Sequence, residues 1–202
     1  MRVRRRKATY NRRMLRLLAL LIVLLAAAAP ADAPVRIVDS VASYRIEGAT
    51  AQELWNQIHV LGPLEVDQKR YAADTRWSVT WHYEFSTEAG TCRVAQADVT
   101  FSDVMTLPEW VDQADGSRAL QGAWASFVAQ LKVHEAGHRR NGMQAALTIR
   151  HVIDGLGTER DCAVLGNAIE TAAREAIVQA HSKDVDYDAT TRHGETQGAT
   201  LP

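Results

Sequence analysis

Two histidines four residues apart, His134 and His138, with Glu135 between them, constrain this chain more than any other stretch. On a helix, residues four apart lie on one face, so both imidazoles can reach a single metal ion. Glu135 is one step round and falls beside the position where a zinc-bound water sits. The surrounding pattern is helical. Leu120, Trp124, Phe127, Leu131, His134 and His138 follow spacings of 4, 3, 4, 3 and 4, and Gly142, Ala145, Ile149 and Val152 carry the stripe onward. The spacing predicts a helix from about Ser117 to Ile153 with both histidines on its core-facing stripe. Two inward imidazoles need partners, and one metal ion serves both.

Charge divides the chain unevenly. Residues 1–31 hold eight of the 23 basic residues and no acidic one, which leaves 15 basic against 24 acidic, a balance of −9. So acidic a remainder is a poor match for nucleic acid or an anionic membrane, and neither is expected as a partner. The basic residues precede an apolar run, Leu17 to Ala29, of 13 residues, followed by Ala29-Pro30-Ala31. That order is a signal peptide over 1–31, with an uncleaved anchor as the alternative. The expected location is secreted or periplasmic, with no stable membrane insertion after cleavage. Residues 32–202 then form a single domain, long enough to bury a core. Cys92 and Cys162 lie in no metal-binding cluster, and in an oxidising compartment they are expected to pair.

Secondary structure follows from local signals. Val41 to Glu47 reads as a strand, with Asp32 to Ser40 as an extended leader into it. Thr50-Ala51-Gln52-Glu53 is a capping box opening a helix that ends at Gly62-Pro63. In Arg76 to Phe85 large apolar residues alternate with polar ones, the period of a half-buried strand. Glu88 to Thr91 supplies a turn, Cys92 to Met105 returns as a second strand, and Leu107-Pro108-Glu109-Trp110 is expected to break it. Thr158 to Asp161 starts a further helix whose inner stripe runs through Cys162, Leu165, Ile169, Ala172 or Ala173, Ala176 and Ala180. The expected fold is α+β: a small antiparallel sheet on two or three helices, zincin-like, with the histidine pair on a long central helix. By composition alone, Lys183 to Pro202 reads as a mobile tail.

Several of these segments together resemble a bacterial domain family of unknown function described as predicted secreted zinc-dependent proteases. The resemblance runs through Tyr44 to Gly48, Thr75 to Trp81, the Cys92 strand, Leu107-Pro108, His134 to His138 and Cys162. It is most specific in Tyr187-Asp188-Ala189-Thr190-Thr191-Arg192-His193-Gly194, with Gln197 to Ala199 beyond it. It implies a zinc ion, a peptide or protein substrate, and an ordered C-terminal segment. A catalytic zinc site has three protein ligands and an open position. His193 in the family-like tail is the first choice for the third, ahead of Glu159, Asp186 and Asp188. Asn141 and Gln144 stand where a metzincin has its glycine and third histidine. The expected chemistry is zinc-assisted peptide hydrolysis with Glu135 as general base. Tyr187 is considered as an oxyanion donor and the Trp77–Phe85 hairpin as an edge for an extended substrate. The alternative is a metal- or peptide-binding envelope protein without turnover.

Overall fold

The computed structural model describes residues 35–202; the expected signal peptide, 1–31, lies outside the described residues. Three strands and three α-helices follow in the order β1 (Arg36–Ile46), α1 (Ala51–Leu61), β2 (Asp74–Glu88), β3 (Thr91–Trp110), α2 (Arg118–Gly155) and α3 (Cys162–Thr191). The class is α+β, as expected. No described helix is long and apolar enough to cross a membrane.

Helix α1 opens on the capping box. Thr50 Oγ1 accepts the Glu53 N–H at 3.2 Å, and Glu53 Oε2 accepts the Thr50 N–H at 3.1 Å. It stops at Gly62, where a Cβ would come within 2.2 Å of the Tyr71 carbonyl oxygen. Only glycine lets the loop after α1 fold back so tightly, and that loop later forms one wall of the site.

The hairpin of β2 and β3 turns at Ala89 and Gly90, both with positive φ (49° and 77°), the geometry a two-residue loop requires. A register shift at Glu84/Phe85 leaves Ala95 as the extra residue of a bulge. Beyond Met105 the expected break does not occur: β3 continues to Trp110. The last partner of β3 on the β2 side is Asp74, opposite Thr106. Past that point β3 is paired only with β1, where a proline such as Pro108 is tolerated.

The strand order is β1-β3-β2, with β1 parallel to β3 and β2 antiparallel to it. This corrects the expectation of an antiparallel sheet: the sheet is mixed. A parallel pair needs a long crossover, and here α1 and the whole of β2 intervene between β1 and β3. β1 also begins earlier than expected, at Arg36. Its residues 36–43 are exposed on both faces, so no apolar alternation marks them.

Helices α2 and α3 form a long antiparallel pair across the sheet. Ser117 caps α2 by accepting the Leu120 N–H, and Asp161 caps α3 by accepting the Ala163 N–H. The disulfide between Cys92 and Cys162 joins the hairpin tip to the start of α3, reinforced by backbone bonds between Cys92 and Glu159. One core gathers Val99, Phe101, Ile149 and Ile169 between hairpin and helices. A second gathers Ile46, Leu54, Trp124 and Phe127 around α1 and the first half of α2. The histidine motif lies on α2 between these two cores.

Candidate metal centre

His134 and His138 are buried, as the helical stripe requires, and Glu135 beside them is buried too. The partner they meet is the end of α3, which continues as helix through the segment that composition reads as a tail. Because the helices run antiparallel, the acid pair Asp184 and Asp188, also four apart, faces the histidine pair. His138 Nδ1 donates to Asp184 Oδ1 at 3.1 Å. His134 Nδ1 donates to Gln197 Oε1 at 3.0 Å, with Thr191 Oγ1 at 3.3 Å. A carboxylate and a carbonyl oxygen are acceptors only, so each ring donates from Nδ1 and turns Nε2 the other way, as the nitrogen on which a proton or a metal ion can sit.

The two Nε2 atoms converge. The Nε2 atoms are 3.3 Å apart, and Asp188 Oδ1 lies 3.1 Å from that of His134 and 3.0 Å from that of His138. Atoms at such distances share a proton or a metal ion between them. Ligands at 2.0–2.1 Å in a tetrahedral zinc site are about 3.3 Å from one another, close to the spacing here. Among the described residues, His134, His138 and Asp188 form the cluster able to hold a metal ion. The same convergence accounts for the protonation behaviour of the groups. Burial opposes charge on His138, but hydrogen bonds with Asp184 and Asp188 outweigh it and push its pKa up to about 10. Burial likewise opposes ionisation of Asp188, yet the His134 and His138 hydrogen bonds hold it well below the usual carboxylate range.

The surrounding contacts fix these groups. Asp184 also accepts Asn141 Nδ2 at 2.8 Å and, through Oδ2, Trp77 Nε1 at 2.8 Å. Asn141, which departs from the metzincin pattern, therefore positions an acid on α3. Gly142 lets the Trp77 ring lie against α2, where a Cβ would come within 2.5 Å of it. Gly137 does the same for Tyr187, whose ring stacks on His134 with centroids 4.9 Å apart. The Tyr187 hydroxyl accepts Gln197 Nε2 at 3.0 Å. This tyrosine packs and orients rather than facing the cleft.

A cleft of about 1090 Å³ opens over the cluster. Glu135 lines it, beside the start of β2, where Thr75 Oγ1 donates to the Glu135 carbonyl at 3.3 Å. Burial pushes the Glu135 carboxyl up to about 7, against the opposing pull of Thr75 and the two histidines. Its Oε2 has no hydrogen-bond partner among the described residues.

The other expected residues are dispersed. His193 lines the cleft with Nδ1 3.4 Å from Asp188 Oδ1, stacked on Tyr71. Asp186 is exposed. Glu159 sits exposed beside the disulfide, about 40 Å from Asp188 along α3 at the helical rise. Sequence reasoning missed Asp184 and assigned Gln197 no role. The available signal was the spacing: acids at 184 and 188 repeat the four-residue step of the histidines at 134 and 138.

The family described as "Bacterial protein of unknown function (DUF922)" matches residues 41–194. No curated protein and no solved structure matches the chain.

Proposed function

The chain belongs to this bacterial family of unknown function, and for it we propose a zinc-dependent hydrolase of peptide bonds. One observation carries the reading: two Nε2 atoms and the Asp188 carboxylate converge in an open cleft, with the shifted Glu135 beside them. We assign His134, His138 and Asp188 as the zinc ligands, so Asp188 takes the place the sequence first gave to His193. Asp184 and Gln197 hold the two imidazoles in the ligating tautomer.

A bound zinc ion supplies Lewis-acid polarisation of the scissile carbonyl and a lowered pKa for water. Glu135 accepts the proton of the attacking water as its oxygen bonds to the carbonyl carbon. When the C–N bond breaks, Glu135 returns that proton to the leaving nitrogen, so the products are a carboxylate and an amine. Trp55, Tyr71 and Trp77 line the cleft and favour a substrate with apolar side chains. We place the protein outside the cytoplasm, secreted or periplasmic, in keeping with its disulfide. Peptide or protein, rather than nucleic acid, is the proposed partner.

The test compares wild type with Glu135→Gln after zinc has been quantified in both. We expect about one zinc per chain in each, with peptide cleavage by the variant lower by about 10²-fold or more. Equal cleavage by the two proteins, or none by either across a broad peptide library, would count against a hydrolase. It would favour a binding protein built around the same ion.

A further inference from the structure

His193 is the imidazole of the cleft that the metal geometry leaves over. Its Nδ1 lies 3.4 Å from Asp188 Oδ1, yet it falls outside the set of ligand atoms that are mutually within 4.8 Å. The backbone goes to some cost to place it. Arg192 and His193 both adopt left-handed φ values, 52° and 51°, before Gly194 at 87°. Two successive residues with side chains in that region persist only where surrounding contacts hold them, and such strain gathers at functional sites.

The contacts here are specific. The N–H groups of Arg192 and His193 both donate to the Asp188 carbonyl, so the turn is tied to the residue whose side chain joins the ligand cluster. The His193 ring stacks on Tyr71 from the opposite wall, with centroids 3.9 Å apart and planes 27° apart. Tyr71 is fixed in turn by its hydroxyl on Asp67 Oδ2 at 2.8 Å. The ring thus has one orientation. The Asp188 carboxylate faces Nδ1 and favours a proton there, which leaves Nε2 to act as an acceptor on a side chain 41% exposed, in the cleft wall.

We infer that His193 is a second catalytic residue, not a metal ligand: its Nε2 accepts a hydrogen bond from the N–H of the scissile amide. This rests on the hydrolase reading above. As the nitrogen becomes tetrahedral and receives the proton from Glu135, its N–H turns into a stronger donor, so the bond tightens toward the transition state. His193 takes up no proton; the one that leaves water ends on the amine.

The experiment compares wild type, His193→Ala and His193→Gln on a peptide and on the matching ester, whose leaving oxygen has no N–H. Zinc content is measured on the same samples. We expect about one zinc per chain throughout. His193→Ala should lower kcat on the peptide by about 10- to 100-fold, the value of one hydrogen bond to a charged group, with KM nearly unchanged and the ester rate nearly intact. His193→Gln, whose side-chain oxygen can accept, should recover part of the peptide rate. Loss of zinc from His193→Ala would make it a ligand and overturn the proposal. Equal losses on peptide and ester, or no loss, would overturn it and leave the hydrolase standing. A zinc-loaded wild type that cleaves neither substrate overturns both.

Discussion

The two ends of α3 are held by different forces. From Cys162 to Ala180 the helix buries Leu165, Ile169, Ala173, Ala176 and Ala180, and the disulfide ties its start to the hairpin. Small apolar side chains let it approach α2 closely, and burial itself is the driving force. From His181 onward that contact gives way to directional bonds. Asp184, Asp188 and Thr191 meet His138, His134 and Trp77 one atom to one atom. Apolar packing is complete in itself, whereas the polar end brings two imidazole Nε2 atoms and a carboxylate oxygen to within 3.3 Å of one another. The apolar end therefore builds the protein, and the polar end carries the proposed metal site.

The sharpest way to break this contrast is to remove a ligand from the polar end. His138→Ala deletes one of the three proposed ligands and also strips Asp184 of a partner. Zinc affinity should fall at least about a thousandfold, from one ion per chain to none under dilute conditions, as elemental analysis after dialysis would register. The fold should survive, because neither core includes His138. A variant that keeps its zinc would put the ion somewhere other than this cluster.

The next effect belongs to the apolar end. Opening the Cys92–Cys162 bridge, which closes a separation of 70 residues, should lower the unfolding free energy by about 4 kcal/mol. Urea melts of wild type against a Cys92→Ser, Cys162→Ser double variant measure it. Zinc affinity should stay within a few-fold, since the bridge lies about 40 Å along α3 from Asp188 at the helical rise. If zinc affinity collapsed together with stability, the two ends would form one cooperative unit and the contrast would fail.

The apolar end was readable from sequence and the polar end only in part, for a physical reason. The stripe from Leu120 to Ile149 and the alternation from Trp77 to Phe85 repeat with the period of their own backbone, so a single chain segment displays them. The parallel pairing of β1 has no such mark, because its exposed residues 36–43 bury neither face. Asp184 and Asp188 gain their meaning from α2, dozens of residues away in sequence. Locally, Lys183-Asp184-Val185-Asp186 is simply polar, which is why composition suggests a mobile tail where a helix stands. The motif histidines were legible since their own helix aligns them. The proposed third ligand was not, because choosing among Glu159, Asp186, Asp188 and His193 depends on which of them the fold brings to the histidines.

The smallest expected effect asks how far the polar end extends past the helix. Gln197 lies beyond the matched segment, which ends at residue 194, and beyond α3 itself, in a short turn over Glu195–Gln197. Its Oε1 takes the His134 Nδ1 proton while its Nε2 donates to Tyr187, so it fixes both the tautomer of a ligand and the ring stacked on that ligand. Thr191 Oγ1, 3.3 Å from the same Nδ1, is a weaker substitute. Gln197→Ala should therefore cost zinc affinity at the low end of what such supporting contacts contribute, about tenfold. Thr191→Val alone should cost less, because Gln197 remains in place. The double variant should cost more than the product of the two, since only then does Nδ1 lose both acceptors. Competition titrations with a chelator of known strength would rank the three. If the losses simply multiplied, each contact would act independently, and the tail would be packing against the site rather than holding its proton in place.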